Sequence, residues 1–321
     1  MTIIGFDVSK AELIGVRINK RAQAQEEYRL ANHPDAIAGF LEKTLTLHPR
    51  LTIASEATAE YHRPLALGCL ARDIDFRLIN PLVTKQFTRV TIRKQKTDLT
   101  DAFIIAKCAL QGLGTEVSQQ SFAPGKVLNR SAVKLGLMAG MILRISRHLE
   151  ETQAGSEELL GKFAELKDIL ETQMKNCQQE ARQTLDPQTM SLPQTLPGIG
   201  PTLATAFITE LNPLERFAYP KMLVAYAGLD PKVKQSGVSL KRNTHLTKRG
   251  SPILRRAAYL AASIAQRCDP ELKTYYEKKR NEGKRYREAT IANARHILSR
   301  VYAVWKRGTP YIPKTNSELS T

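Results

Sequence analysis

Long hydrophobic runs are missing from this chain, and no stretch approaches the roughly 18 uninterrupted apolar residues of a membrane-spanning helix. Its start, Met1-Thr-Ile-Ile-Gly-Phe-Asp, has no basic lead ahead of an apolar segment and reads as a buried strand, so nothing marks export. Cysteine is scarce as well. Cys69, Cys108, Cys177 and Cys268 lie far apart, without a CxxC pair or a neighbouring histidine. That argues against a zinc site or a disulfide framework and fits a reducing cytosol. No G-x-x-x-x-G-K-[ST] loop is present, which agrees with chemistry that needs no ATP. The last shortage is negative charge: 31 Asp+Glu stand against 48 Lys+Arg, a formal net charge of +17. A protein that basic seeks a polyanion, and nucleic acid is the commonest one.

What is present is enough for two domains. The chain has 321 residues, 42% of them apolar, which makes it globular rather than disordered. Residues 2–7, 12–18 and 25–31 are short, β-prone and separated by polar turns, the pattern of an antiparallel meander. Helical spacing follows over 34–46, with Ile37, Phe40, Leu41 and Leu45 on one side. A fourth strand is expected at 51–55, a helix at 60–71 and a fifth strand at 75–80. A basic stretch, Lys85 to Lys96, then leads into a helix over 97–113. Three strands, a helix, then alternating strands and helices is the element order of an RNase H-like fold. From 126 to 185 the sequence is helical throughout, with coiled-coil-like spacing from Leu159, which predicts either a long arm or a hairpin packed on the body. A glycine-punctuated, basic, helical region begins near Ser191, and a polar tail runs from Tyr311 to Thr321.

Four acids stand where metal chemistry would place them. Asp7 closes the first strand, in Gly5-Phe6-Asp7-Val8, and Glu56 closes the fourth, in Ala54-Ser55-Glu56-Ala57. The first and fourth strands of an RNase H-like sheet are neighbours, so these two acids are expected side by side. An acid closing an apolar strand is costly to bury unpaired, and coordinating a cation is one way to recover that cost; a lysine partner is another. Asp98 and Asp101 are three residues apart at a helix start, hence on one face. They also suit plain N-terminal capping behind Thr97. Hard carboxylate oxygens suit Mg²⁺, or Mn²⁺ in its place. Glu60, a turn further on, ranks behind Glu56.

In the second half, Leu196-Pro197-Gly198-Ile199-Gly200-Pro201 has the glycine pattern of a helix-hairpin-helix turn, in which Gly198 and Gly200 would let backbone amides reach a phosphate. A plain turn between helices has the same pattern. Between Lys232 and Arg256 there are eight Lys/Arg and no acid: Lys232, Lys234, Lys241, Arg242, Lys248, Arg249, Arg255 and Arg256. Such a run suits tracking a nucleic-acid backbone, or is simply a solvated basic face. Within it lies Ser236-Gly237, either a nucleophile beside a bound phosphate or a turn.

Together these blocks resemble the DEDD-type transposases of insertion sequences, the family that includes Piv-like DNA invertases and bridge-RNA-guided recombinases. The likeness runs along nearly the whole chain. Its blocks are Ile4-Gly-Phe-Asp-Val-Ser-Lys, Ser55-Glu-Ala-Thr-Ala-Glu-Tyr and Lys96-Thr-Asp-Leu-Thr-Asp-Ala, followed by Pro197-Gly-Ile-Gly, Glu215-Arg-Phe, Tyr226-Ala-Gly-Leu-Asp-Pro, Gln235-Ser-Gly, Leu246-Thr-Lys-Arg-Gly and Leu254-Arg-Arg. Ala59 stands where the family often has glycine, and residues 126–150 match its arginine-rich pattern loosely.

The resemblance implies an α/β RNase H/RuvC-like catalytic domain over 1–120 carrying Asp7, Glu56, Asp98 and Asp101. It implies a helical, coiled-coil-like arm over 121–188 used in assembly. A mainly α transposase domain over 189–310 would carry Ser236 as nucleophile, ahead of a flexible tail over 311–321. It further implies a phosphoserine link to DNA, a homo-oligomer (a dimer or a dimer of dimers), donor and target double-stranded DNA, a structured guide RNA in some members, and a prokaryotic cytoplasm at the nucleoid. Two alternatives stay open: a RuvC-like nuclease that uses water, and a non-catalytic nucleic-acid-binding protein.

Overall fold

The computed structural model describes residues 2–57, 60–90, 97–231, 235–236, 239–240 and 246–313, and the chain divides into two units, Met1–Ser121 and Phe122–Thr321. The first is built on a sheet of strands β1 (Thr2–Val8), β2 (Glu12–Ile18), β3 (Ala24–Ala31), β4 (Leu51–Glu56), β5 (Asp75–Ile79) and β6 (Thr115–Glu116). Its order is β3-β2-β1-β4-β5-β6. β1 pairs antiparallel with β2 and parallel with β4, and β4 pairs parallel with β5. A three-strand meander extended by parallel crossover strands is the RNase H-like arrangement that the element order predicts. β1 and β2 are buried almost throughout, whereas β3, which carries Glu26, Glu27 and Arg29, is an exposed edge whose charges discourage further pairing.

Four helices cover this sheet: α1 (Pro34–Leu47), α2 (Arg63–Leu70), α3 (Pro81–Val90) and α4 (Asp98–Leu110). On one face Phe6 meets Phe40 of α1 edge-on, with ring centres 5.6 Å apart. On the other, Ile3, Ala54 and Ile79 pack with Ala102, Ile105 and Ala106 of α4. α4 lies very close to β1, because a Cβ on Gly5 would stand 2.3 Å from the Ala102 carbonyl oxygen and 2.4 Å from the Ala106 nitrogen. Only glycine permits that approach, and it brings the first turn of α4 beside the end of β1. α3 occupies Pro81–Val90, where the sequence suggests only the start of a basic stretch; residues 91–96 of that stretch lie outside the described residues.

The second unit is helical: α5 (Pro124–Glu151), α6 (Glu157–Gln183), α7 (Pro187–Gln194), α8 (Pro201–Leu211), α9 (Pro220–Tyr226), α10 (Pro252–Cys268), α11 (Pro270–Asn281) and α12 (Tyr286–Arg307), with a small pair of strands, β7 (Gln235–Ser236) and β8 (Ser239–Leu240). α5 and α6 fold back along each other, and α5 also touches α8. The region from 126 to 185 is thus a hairpin, broken where Gln153 takes φ 52° ahead of the Ser156 cap. The core centres on Phe207 of α8, the alanine face of α10 (Ala258, Ala261, Ala262, Ala265) and Ile297 and Val301 of α12. Small residues on α10 let helices approach closely, and a Cβ on Gly198 would stand 2.5 Å from the Ala261 carbonyl oxygen. The tail is held at its start: Tyr311 Oη donates to Asp269 Oδ2 at 2.7 Å and Tyr311 N to Thr195 Oγ1 at 2.8 Å. Among the described residues no helix is long and apolar enough to cross a membrane.

Candidate active site and nucleic-acid interface

Strand pairing places Asp7 and Glu56 together. The parallel register runs Gly5 with Ala54 and Phe6 with Ser55, so the next residues, Asp7 and Glu56, are neighbours at the same end of the sheet. α4 adds the other two acids. Thr97 caps it, its hydroxyl oxygen accepting from the Thr100 nitrogen at 3.2 Å, and Asp98 and Asp101 fill its first turn. The close approach at Gly5 carries that turn to β1.

The electrostatics register the meeting. Asp7 is half-buried, and its carboxyl is pushed above the usual range by burial first, then by the charges of Asp101, Asp98 and Glu56; the Val8 amide, donating to Oδ1 at 3.1 Å, works the other way. Three further carboxylates therefore lie close enough to disfavour ionisation of Asp7. Hard oxygen donors grouped in this way fit a divalent cation, which would relieve the repulsion at Asp7. As the side chains stand, no group of three or more His, Cys, Asp or Glu among the described residues closes to metal-ligating spacing. The residue types fit a cation, and ligation would need the side chains to draw together.

One member of this neighbourhood escapes the sequence reading. Thr84 of α3, buried, donates from Oγ1 to Glu56 Oε2 at 2.8 Å and so orients that carboxylate. Its segment is amphipathic at helical spacing, a signal that could have placed α3, but nothing local points Thr84 at Glu56.

The residues expected at a nucleic-acid surface separate. Lys248 and Arg249 are exposed on a loop before α10, Lys248 at φ 52°. Arg256, on α10, is exposed too, whereas Arg255 turns inward and donates from Nη1 to the Ala227 carbonyl at 3.0 Å. Gly198, at φ 84°, has a packing reason of its own, its approach to α10, while Gly200 caps α8 with open space where a Cβ would be. Lys232, Lys234, Lys241, Arg242, Gly237 and Ala59 lie outside the described residues. Ser236 is described as part of β7, paired with Ser239.

Comparison with known proteins bears on both units. Residues 4–123 match a transposase family model of the DEDD, IS110 type, and residues 190–277 match the model described as "Transposase IS116/IS110/IS902 family". The chain is 28% identical over 227 residues to an insertion element IS900 protein of 42 kDa from Mycobacterium paratuberculosis, covering 70% of this chain and 49% of that one. It is 32% identical over 117 residues to an insertion element IS110 protein of Streptomyces coelicolor, covering 36% of this chain and 29% of that one. The matched segments therefore span half or less of these two relatives. The pilin gene-inverting protein of Moraxella bovis is similar end to end, 23% identical over 331 aligned positions that cover 97% of each chain. Among solved structures, Thermus thermophilus RuvC in complex with a Holliday junction substrate aligns with 36% of this chain at 13% identity and a TM-score of 0.30.

Proposed function

We propose that this chain, which belongs to the IS116/IS110/IS902 family of insertion-sequence transposases, is a DNA transposase or site-specific recombinase that cuts and rejoins strands through a serine–DNA intermediate. The observation that carries the reading is the gathering of Asp101, Asp98 and Glu56 around Asp7, whose pKa burial and then their charges raise, in a chain whose second unit presents exposed basic residues before α10. Mg²⁺ or Mn²⁺ held by Asp7, Glu56, Asp98 and Asp101 would supply charge neutralisation at the phosphate oxygens and activation of the attacking and leaving oxygens. Thr84 would keep Glu56 oriented for that role.

Ser236 is the nucleophile in this reading. Its Oγ attacks phosphorus and expels a DNA oxygen, and a hydroxyl of the partner strand then displaces the serine, so the phosphoester energy is kept for rejoining. Lys248, Arg249 and Arg256, with Lys241 and Arg242, hold donor and target duplexes by their phosphates. A structured RNA guides the choice of both. In this reading residues 1–120 form the catalytic domain, 121–188 an arm, 189–310 the transposase domain and 311–321 the tail, and the unit Met1–Ser121 supports the first of these bounds. The arm joins copies into a homo-oligomer, a role that suits its exposed Leu137, Met138, Met141 and Ile169. The setting is the prokaryotic cytoplasm, at the nucleoid.

The test is the residue that separates a recombinase from a nuclease using water. Ser236→Ala is expected to bind DNA as the parent does, to form no denaturation-resistant protein–DNA adduct and to give no recombinant product. A Ser236→Ala protein that still recombines DNA would remove the serine from the mechanism, and one that still cuts without rejoining would favour water as the attacking group. Nuclease treatment of purified protein tests the guide: full recombination by RNA-free protein would exclude it.

A further inference from the structure

The carboxylate of Glu210, in α8, has no solvent exposure, and three donors hold it: Arg130 of α5 through Nε at 2.8 Å and Nη2 at 3.1 Å, and Ser251 Oγ at 2.9 Å. Burial alone would raise its pKa, but Arg130's bonds and charge, the charge of Lys126 and the Ser251 bond together hold it below the usual range. Its main-chain oxygen accepts from Arg216 Nη2 at 2.6 Å. The Ser251 hydroxyl works twice, because its oxygen also accepts from Leu254 N at 3.1 Å and so caps α10.

Ser251 ends the loop that carries Lys248 and Arg249. The other side of that loop is stitched to the segment after α9. Thr247 donates from N to Asp230 O at 3.0 Å and from Oγ1 to Asp230 Oδ1 at 2.5 Å, Lys248 N to Gly228 O at 3.2 Å, and Ser251 N to Tyr226 O at 2.8 Å. The two exposed cations thus stand on a short span pinned by Asp230 at one end and by Glu210 at the other. The Glu210 end continues, through Arg130, into the arm hairpin. A bidentate arginine–carboxylate pair fixes orientation as well as distance. Only the Glu210 end of the pair is buried, Arg130 remaining partly exposed, and the best-attested use of an ionic contact that takes a charge out of water is to specify one arrangement.

We infer that Glu210 is a positioning residue: with Arg130 and Ser251 it sets the pose of the loop that presents Lys248 and Arg249 to DNA phosphates, and couples that pose to α5 of the arm. This rests on the proposal that the loop contacts phosphate. The salt dependence of binding to a duplex oligonucleotide, measured on the full chain, separates the two, because its slope counts phosphate contacts.

Lys248→Gln with Arg249→Gln is expected to lower the slope of log K against log salt by about two units. Ser251→Ala, which leaves the Arg130–Glu210 pair intact, and the neutral pair Arg130→Gln with Glu210→Gln are each expected to lower it by about one to two units while unfolding stays cooperative. Ser251→Thr should restore the parental slope. Should Ser251→Ala and the neutral pair keep the parental slope, whatever happens to their melting temperatures, the coupling is overturned and Glu210 only holds the fold together. Should the Lys248 and Arg249 substitutions themselves leave the slope unchanged, the phosphate-binding reading fails first and takes this inference with it.

Discussion

Two carboxylates, one in each unit, show opposite uses of a charge taken out of water. Glu210 is wholly buried, and Arg130, Lys126 and Ser251 turn its environment positive or donating, so its pKa falls. Asp7 is half-buried among Asp101, Asp98 and Glu56, and its pKa rises. The first charge is satisfied by the fold and is spent on architecture. The second is disfavoured by burial and by three neighbouring acids, the kind of perturbation that gathers at functional sites. The contrast is useful because each site can be altered without touching the other.

The largest effect expected is on catalysis. Asp7→Asn or Asp101→Asn keeps the shape of the side chain and removes its charge. Strand cleavage should fall about 10²–10³-fold, the scale of losing one electrostatic group at a reacting centre, while circular dichroism and DNA affinity stay near the parent's. Parental cleavage rates in Asp7→Asn would break the comparison at the Asp7 side. Next comes packing against α10. Gly198→Ala sets a Cβ 2.5 Å from the Ala261 carbonyl oxygen at φ 84° and should cost about 2 kcal/mol in denaturant unfolding, whereas Gly200→Ala meets open space and should change stability by about 0.5 kcal/mol or less. If Gly200→Ala weakens DNA binding without a loss of stability, its backbone does meet phosphate.

The smallest effect is the sharpest in sign. Asp7's pKa is raised from 3.8, so its contribution favours the fold below that value and is lost as pH rises through the folded pKa. In chelator at neutral pH, Asp7→Asn should therefore melt above the parent, and the gap should close as pH falls toward the unfolded value. Mg²⁺ should close it from the other side by raising the parent. Glu210 runs the opposite way: its stabilisation is present above its ordinary value of 4.5 and is lost as pH falls through its lowered folded pKa, so the neutral Arg130–Glu210 pair should flatten the acid limb of the stability curve. Calorimetry across pH checks both signs.

Much of the first unit was legible because its signals are local. Apolar alternation and polar turns place the expected 2–7 and 51–55 strands within one residue of Thr2–Val8 and Leu51–Glu56. The strand order then makes Asp7 and Glu56 neighbours, and Thr97 caps α4 as its position suggests. What stayed hidden depends on partners distant in sequence. Nothing near Thr84 reveals its bond to Glu56, and α3 was masked by a polar, basic composition. Glu210 sits between Thr209 and Leu211 on a mostly apolar helix, an anomaly with no local explanation, because Arg130 is 80 residues away. The arm showed its helices but not where they turn, since a five-residue break carries little periodicity to lose. Arg255 illustrates the limit of charge counting: it belongs to the basic run by sequence and to the interior by its bond to Ala227.

The close seat of α4 against Gly5 has a further consequence during synthesis. Asp7 and Glu56 leave the ribosome early, on strands, while Asp98 and Asp101 arrive later on a helix that must reach backbone contact with β1 before the acids share a space. A nascent or half-unfolded chain with α4 detached holds only half of the acid set. In the proposed recombinase the acid set would thus be complete, and cleavage armed, only when the first unit has closed.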